Sequence, residues 1–185
     1  MSDFINISMV FDFNYLVSTY KTLSQDPTKP TGISHNGVYM ITEPRFLEDA
    51  KTNATADLAI KAQPGDIVRW NAQTLSDNLS NAVVVYKLPY WKGDVVTPEP
   101  VPHVANATLP IPEKDPTTLI VNPLKPKPTT IPLYYLEAGI TESSTQKTLT
   151  ENYYVYFYLT QIVDSKLKIL GYLYWDPSIT VHLVS

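Results

Sequence analysis

Strict alternation of side chains in the C-terminal third is the strongest constraint on the fold. Within residues 152–159, one face carries Val155, Phe157 and Leu159. The opposite face carries Tyr154, Tyr156 and Tyr158. A period of two is typical of a strand with one buried face. Residues 164–166 (Asp-Ser-Lys) predict a turn. The returning strand is expected to place Leu167, Ile169, Leu173 and Trp175 on the core face and Tyr172 and Tyr174 on the other. Only a register that pairs even residues with even residues keeps the aliphatic groups together.

Similar alternation recurs along the chain. Strands are predicted at Phe4–Phe11 and at residues 38–42, 56–62, 66–71, 82–88, 152–163, 168–175 and 178–184. A short helix over residues 13–20 is expected to be capped by the Asp12 carboxylate. Short strands without intervening helices favour an all-β fold, a β-sandwich of two mainly antiparallel sheets formed by one domain over residues 1–185. Trp70 and Trp175 are expected in its core.

Proline sets residues 97–132 apart from this pattern. They hold ten of the sixteen prolines, at positions 98, 100, 102, 110, 112, 116, 123, 126, 128 and 132. Each proline removes a backbone donor that a central strand needs. We therefore expect a long proline-rich excursion outside the sheet core, with polyproline stretches and one or two edge strands such as residues 118–121. The excursion either lies on the surface of its own chain or docks on a neighbouring molecule.

Composition excludes several classes of function. A net charge of −4 provides no basic surface for nucleic acid. The chain has no cysteine, which rules out thiolate chemistry and disulfides. No apolar run reaches the ~18 residues that a membrane span needs, and the first residues do not resemble a secretion signal. These features predict a soluble cytoplasmic protein.

The five tyrosines of the C-terminal hairpin are the first candidate site. Tyr154, Tyr156, Tyr158, Tyr172 and Tyr174 are expected to form a ladder opposite the core. Tyrosine combines a large contact area with few rotatable bonds and a hydroxyl that tolerates water. Such a ladder suits a self-association surface or a sugar-stacking platform, unless a second layer or the proline-rich excursion covers it. If it is uncovered, we expect at least a homodimer.

The second candidate is the loop over residues 25–36, QDPTKPTGISHN. Pro27 and Pro30 each fix a φ angle, and Gly32 permits a left-handed conformation. The pattern predicts a rigid loop. His35 is expected to be a hydrogen-bonded structural residue, because metal ligands come in clusters and the other histidines are distant in sequence. Motifs for catalysis are absent, so we expect no catalytic residue, no metal and no cofactor, although a carboxylate pair for hydrolysis stays open.

Several segments, taken together, resemble the PixA/AidA-type inclusion body protein family. They are this loop, residues 39–42, 56–58 and 65–70, the tyrosine-containing residues 153–157 and the stretch GYLYWDPSITV at 171–181. The resemblance runs from about residue 4 to about residue 183. It implies a bacterial, cytoplasmic protein that accumulates in inclusions, and it brings no catalytic residues. The loop residues Asp26, Pro27, Pro30, Gly32, His35 and Asn36 belong to the family pattern. The unusually long proline-rich stretch departs from it.

Two functions follow as expectations. One is a non-enzymatic, self-assembling inclusion body protein whose partner is itself. The alternative is a carbohydrate-binding, lectin-like β-sandwich that recognises glycans.

Overall fold

The computed structural model describes residues 2–76, 80–115, 117–141 and 148–183. It is an all-β protein, as predicted, with thirteen strands and one short α-helix in the described residues. The strands are β1 (Phe4–Phe11), β2 (Thr31–Gly32), β3 (Val38–Ile41), β4 (Leu58–Ala62), β5 (Ile67–Thr74), β6 (Asn81–Lys87), β7 (Tyr90–Gly93), β8 (Val101–Lys114), β9 (Val121–Gly139), β10 (Thr148–Tyr153), β11 (Val155–Val163), β12 (Lys166–Trp175) and β13 (Ser178–Leu183). The helix, α1 (Phe13–Thr19), begins where Asp12 accepts a hydrogen bond from the Tyr15 amide, as predicted.

The described strands form three sheets in place of the two that were predicted. One sheet has five strands in the order β3-β1-β5-β9-β8, and the others have four, β4-β13-β10-β7 and β2-β12-β11-β6. The sheets are mixed, because β1 with β5, β2 with β12 and β4 with β13 pair in parallel. The alternation of side chains determines which face of a strand is buried, but strand order and direction depend on contacts distant in sequence.

The core lies between the five-stranded sheet and both four-stranded sheets. Phe11 of β1 packs against Phe157 of β11 and Trp175 of β12, with ring centroids 4.6 and 5.4 Å away. Trp70 of β5 packs against Tyr153 of β10 at 6.4 Å. Trp70 and Trp175 are buried, as predicted.

The C-terminal hairpin confirms the predicted register and corrects its outer half. Tyr156 pairs with Tyr174, and the even residues share one face. A β-bulge between Leu159 and Thr160 then shifts the register. Leu167 and Ile169, expected in the core, are exposed instead. The bulge adds a residue to β12. Residues 162–169 are exposed whatever their parity, so neither face of this end of the hairpin is buried.

The proline-rich stretch is a long two-stranded ribbon. Strands β8 and β9 pair from Val101 with Glu137 outward to Lys114 with Val121. Proline was expected to keep most of this stretch out of β-structure, and that expectation is wrong. Residues 118–120 precede β9 and lie outside the strands. Because β9 pairs with β5 only between Leu136 and Gly139, residues 103–115 and 117–135 extend beyond the sheet as an arm.

The prolines that are paired across this ribbon fit it because they occupy alternate positions. Pro110 pairs with Pro128, and since neither has an N–H, this pair exchanges no ladder hydrogen bonds. Pro112, Pro126 and Pro132 also occupy even-numbered positions in the same register. The ladder is therefore made by odd-numbered residues, and the N–H groups that proline removes would have pointed away from the ribbon. An additional strand finds few donors along these edges.

Candidate functional site

The outer face of the sheet β2-β12-β11-β6 is paved with aromatic side chains. It contains the five predicted tyrosines and Tyr86 of β6, and Trp91 of β7 in the neighbouring sheet continues it. We call this set the aromatic surface, and its members are Tyr86, Trp91, Tyr154, Tyr156, Tyr158, Tyr172 and Tyr174. Tyr86 lies at its centre, with ring centroids 6.0 to 6.1 Å from Tyr156, Tyr158 and Tyr172. The structure thus brings the predicted ladder together.

Sequence reasoning missed Tyr86 and Trp91. The signal for Tyr86 was present, because Val83 and Val85 alternate with it and both are buried. Trp91 carries no such signal: β7 has four residues, all exposed. Trp91 is placed by its stack on Tyr154, with ring centroids 5.3 Å apart, and by the Lys92 ammonium 4.0 Å from its own ring centroid.

The rings of the aromatic surface support one another; its six tyrosines are half-buried and Trp91 is exposed. Several contacts are edge-to-face: Tyr154 meets Tyr174 at 89° and Tyr86 meets Tyr172 at 87°. Burial, followed by the neighbouring Tyr156 and Tyr172, raises the pKa of Tyr86 to about 12. Burial also raises the pKa of Tyr154 and Tyr158. The hydroxyls of these three residues therefore stay neutral at physiological pH.

The loop over residues 25–36 lies beside the aromatic surface. The Tyr86 hydroxyl donates to the Pro27 carbonyl at 2.9 Å, and the Gln25 side chain donates to the Leu170 carbonyl at 2.9 Å. Asp26 accepts hydrogen bonds from the Thr28 hydroxyl and amide, at 2.7 and 2.8 Å. The Thr28 hydroxyl, and then its amide, hold the pKa of Asp26 below its usual range. Pro30 is half-buried and Asn36 is exposed.

Gly32 has a different role from the one predicted. It is absent from the glycines with positive φ, so the left-handed conformation that glycine permits is not used here. A Cβ at Gly32 would lie 3.0 Å from the Tyr174 hydroxyl and 3.1 Å from the ring carbons. Glycine is needed here because the loop backbone passes directly over the Tyr174 ring, where it pairs with β12.

His35 joins the loop to two other segments of the family pattern. Its Nδ1 lies 3.3 Å from Asp57 and its Nε2 lies 3.5 Å from Asp176. Asp57 also accepts hydrogen bonds from the Ser178 amide and hydroxyl, at 2.7 and 2.9 Å. The serine hydroxyl is thus bonded to a carboxylate instead of an imidazole base, which is not the arrangement of an activated nucleophile. This cluster links the loop to the β12–β13 turn.

A buried carboxylate holds the segment that leads into the arm. Glu151 of β10 accepts hydrogen bonds from the amides of Val96 and Thr97, at 2.8 and 2.9 Å, and from the Thr97 hydroxyl at 3.1 Å. Burial raises the pKa of Glu151, and the bonds from Thr97 and Val96 oppose that shift. Both carboxylate oxygens accept hydrogen bonds from this segment, so the role of Glu151 is structural.

No group of three or more histidine, cysteine, aspartate or glutamate side chains is arranged to hold a metal ion in the part of the chain that the structure describes. Across the same residues, no helix has the length and apolar character required to cross a membrane.

The fold and this surface define an all-β protein with an aromatic face, a proline-containing loop beside it and a protruding arm. Comparison with known proteins supplies the family. The model of the PixA inclusion body protein family matches residues 3–181, and the chain belongs to that family. A crystal structure of an inclusion body protein (PixA) from Burkholderia cenocepacia J2315 superposes with a TM-score of 0.74 at 17% identity, covering 98% of this chain and 96% of the other. No curated protein matches.

Proposed function

We propose that this protein is a non-enzymatic, self-assembling protein that accumulates in cytoplasmic inclusions. Membership of the PixA inclusion body protein family supports the proposal. The observation that carries it is the arm. Nearly all of its residues are exposed, including Val104 at 70% and Leu133 at 42%.

An exposed ribbon of this kind calls for a partner. A two-stranded ribbon is marginally stable by itself in water, and monomeric proteins rarely leave large apolar patches uncovered. The modest net charge of −4 provides little repulsion between copies at high concentration. Another copy of the same chain is always available inside an inclusion. Contact with it would both stabilise the ribbon and cover its apolar side chains.

The experiment measures molar mass by sedimentation and light scattering across a wide range of protein concentrations. We expect mass to rise with concentration to at least a dimer, and we expect inclusions in cells that produce the protein. A variant without the arm, in which Gly-Gly joins Val101 to Leu136, should stay monomeric and diffuse in cells. A wild-type chain that stays monomeric at every concentration contradicts the proposal.

Carbohydrate binding is the second candidate, and Trp91 is the observation that favours it, because its side chain is 40% exposed. A sugar stacks on the face of an aromatic ring, however, and many rings of the aromatic surface meet edge-to-face. Trp91 itself stacks on Tyr154 and has an ammonium over its ring. We therefore place self-assembly first. A glycan array that yields a ligand lost in a Trp91→Ala variant would reverse the order.

A further inference from the structure

The arm presents two faces of different chemistry. Its even-numbered residues form a face that we call the proline face: Val104, Asn106, Thr108, Pro110, Pro112, Pro126, Pro128, Thr130, Pro132 and, at its base, Tyr134, whose hydroxyl donates to the Val85 carbonyl. The opposite, odd-numbered face is mainly aliphatic and includes Leu109, Ile111 and Leu133. The proline face continues a buried one, since Leu136 and Ala138 of the same parity belong to the core. The proline face extends beyond the part of the five-stranded sheet that is covered by the other two sheets.

We propose that the proline face of one copy packs on the aromatic surface of a second copy, and that the second copy returns its own arm in the same way. This inference rests on the proposed self-assembly and identifies the two surfaces that meet.

The chemistry of the two surfaces is complementary. The face of an aromatic ring carries partial negative charge, and it attracts the polarised C–H groups of a proline ring. Burying proline costs no side-chain rotamer entropy, and tyrosine has only two side-chain torsions to restrict. Leucine and isoleucine on the opposite face lose rotamer freedom when they are ordered. Contact through the proline face is therefore the less costly choice.

Charge supports the same pairing. The arm has three lysines, Lys114, Lys125 and Lys127, and two acidic residues, Glu113 and Asp115, so it carries one net positive charge. The whole chain carries −4, which leaves the rest of the molecule clearly negative. An arm is therefore weakly attracted to the body of another copy and not repelled by it.

Contact area favours a reciprocal exchange. The nine residues from Val104 to Pro112 span about 30 Å at ~3.4 Å per residue, and a two-stranded ribbon is about 10 Å wide. One arm therefore covers roughly 300 Å², or about 600 Å² when both partners are counted, which is the size of a weak contact. Two such contacts reach about 1,200 Å², the lower end of stable interfaces, and a closed twofold dimer provides both. Proline on the outer edges directs the partner to the face, because few donors remain for strand addition.

A matched pair of variants tests the face that is used. Pro110→Lys with Pro128→Lys changes one cross-strand pair on the proline face, and Leu109→Lys with Thr129→Lys changes the adjacent pair on the opposite face. We expect the proline-face variant to raise the dimer dissociation constant roughly a hundredfold or more, because lysine would be buried unpaired. The control variant should change it by less than about threefold, in line with ordinary surface substitutions.

Tryptophan fluorescence reports whether the aromatic surface is covered. Trp91 is 40% exposed, whereas Trp70 and Trp175 are 2% and 0% exposed. Iodide should quench Trp91 in dilute monomer, and that quenching should fall as wild-type dimer forms. In the proline-face variant, Trp91 should stay open to iodide at the same concentration. Circular dichroism and thermal unfolding establish that both variants are folded.

The outcomes separate the inference from the function on which it rests. A wild-type protein that is monomeric throughout defeats both. Dimers that persist in the proline-face variant, or that leave Trp91 fully open to iodide, overturn the inference and leave self-assembly intact. Loss of dimer in the control variant alone assigns the interface to the aliphatic face, and this also overturns it.

Discussion

At the scale of single residues, the distance to neighbouring atoms determines whether a position requires glycine. Gly32 and Gly139 are both glycines outside the positive-φ set, yet their surroundings differ. A Cβ at Gly32 would meet the Tyr174 ring at 3.0 Å, whereas a Cβ at Gly139 would meet its nearest neighbour at 3.9 Å, an ordinary contact. Tyr174 has little room to move, because Tyr154 and Tyr156 pack against it.

This difference leads to a prediction about stability. Gly32→Ala should lower the free energy of unfolding by about 1–3 kcal/mol, the usual cost of overpacking a tight site. Gly139→Ala should be close to neutral, because the unfolded chain loses flexibility while the native state has room for the methyl group. Urea denaturation of both variants measures the effect. Equal losses in the two proteins would show that contact with Tyr174 is unimportant.

At the scale of elements, the arm shows that the position of a proline in the ladder matters more than the number of prolines. Its root is held by Arg69, whose Nε donates to Glu137 at 2.6 Å while its guanidinium lies over the rings of Phe4 and Tyr135. Beyond Leu136, β9 leaves β5, and a groove of about 600 Å³ opens between the arm and the body. Past this root, the ladder of odd-numbered residues keeps the two strands together.

Moving the site of proline by one residue tests the parity of this ladder. Thr129→Pro removes a donor from an odd-numbered, hydrogen-bonded pair, and Thr130→Pro changes an even-numbered pair that makes no ladder bond. We expect hydrogen exchange at the Leu109 and Ile111 amides to accelerate roughly fivefold or more in the Thr129 variant, since one net hydrogen bond contributes ~1 kcal/mol. The Thr130 variant should keep wild-type rates. Equal acceleration in both variants would mean that the ladder does not follow this parity.

At the scale of the whole molecule, Glu151 connects separate sheets. It lies on β10 and holds Val96 and Thr97, which precede the arm strand β8 of the five-stranded sheet. Because burial raises its pKa, the folded state takes up a proton more readily than the unfolded chain. The contribution of Glu151 to the free energy of unfolding therefore rises as pH falls through its pKa in the folded state. It levels off below its pKa in the unfolded chain, about 4.3.

A comparison with Glu151→Gln isolates this effect. The amide keeps one oxygen to accept the backbone bonds and a donor for the Thr97 hydroxyl, and it does not titrate. Subtracting the variant removes contributions from Asp26 and Asp115, whose pKa values are lowered and whose effect has the opposite sign. On acidification from neutral pH, the wild type should gain stability relative to the variant. A constant difference, or a relative loss, in urea denaturation at several pH values contradicts this expectation.

Local alternation was sufficient to predict the all-β class, the even-with-even register of the hairpin and the burial of Trp70 and Trp175, and the carboxylate at position 12 predicted the helix cap. These features depend on side-chain period and on neighbours close in sequence. Strand order, the three parallel pairings, the bulge beyond Leu159 and the parity of the arm prolines were decided by the tertiary structure. The tertiary structure also decided the positions of Trp91 and His35, because both are held by residues that are distant in sequence. A local pattern determines which face a strand buries, but contacts distant in sequence determine which strand lies beside it.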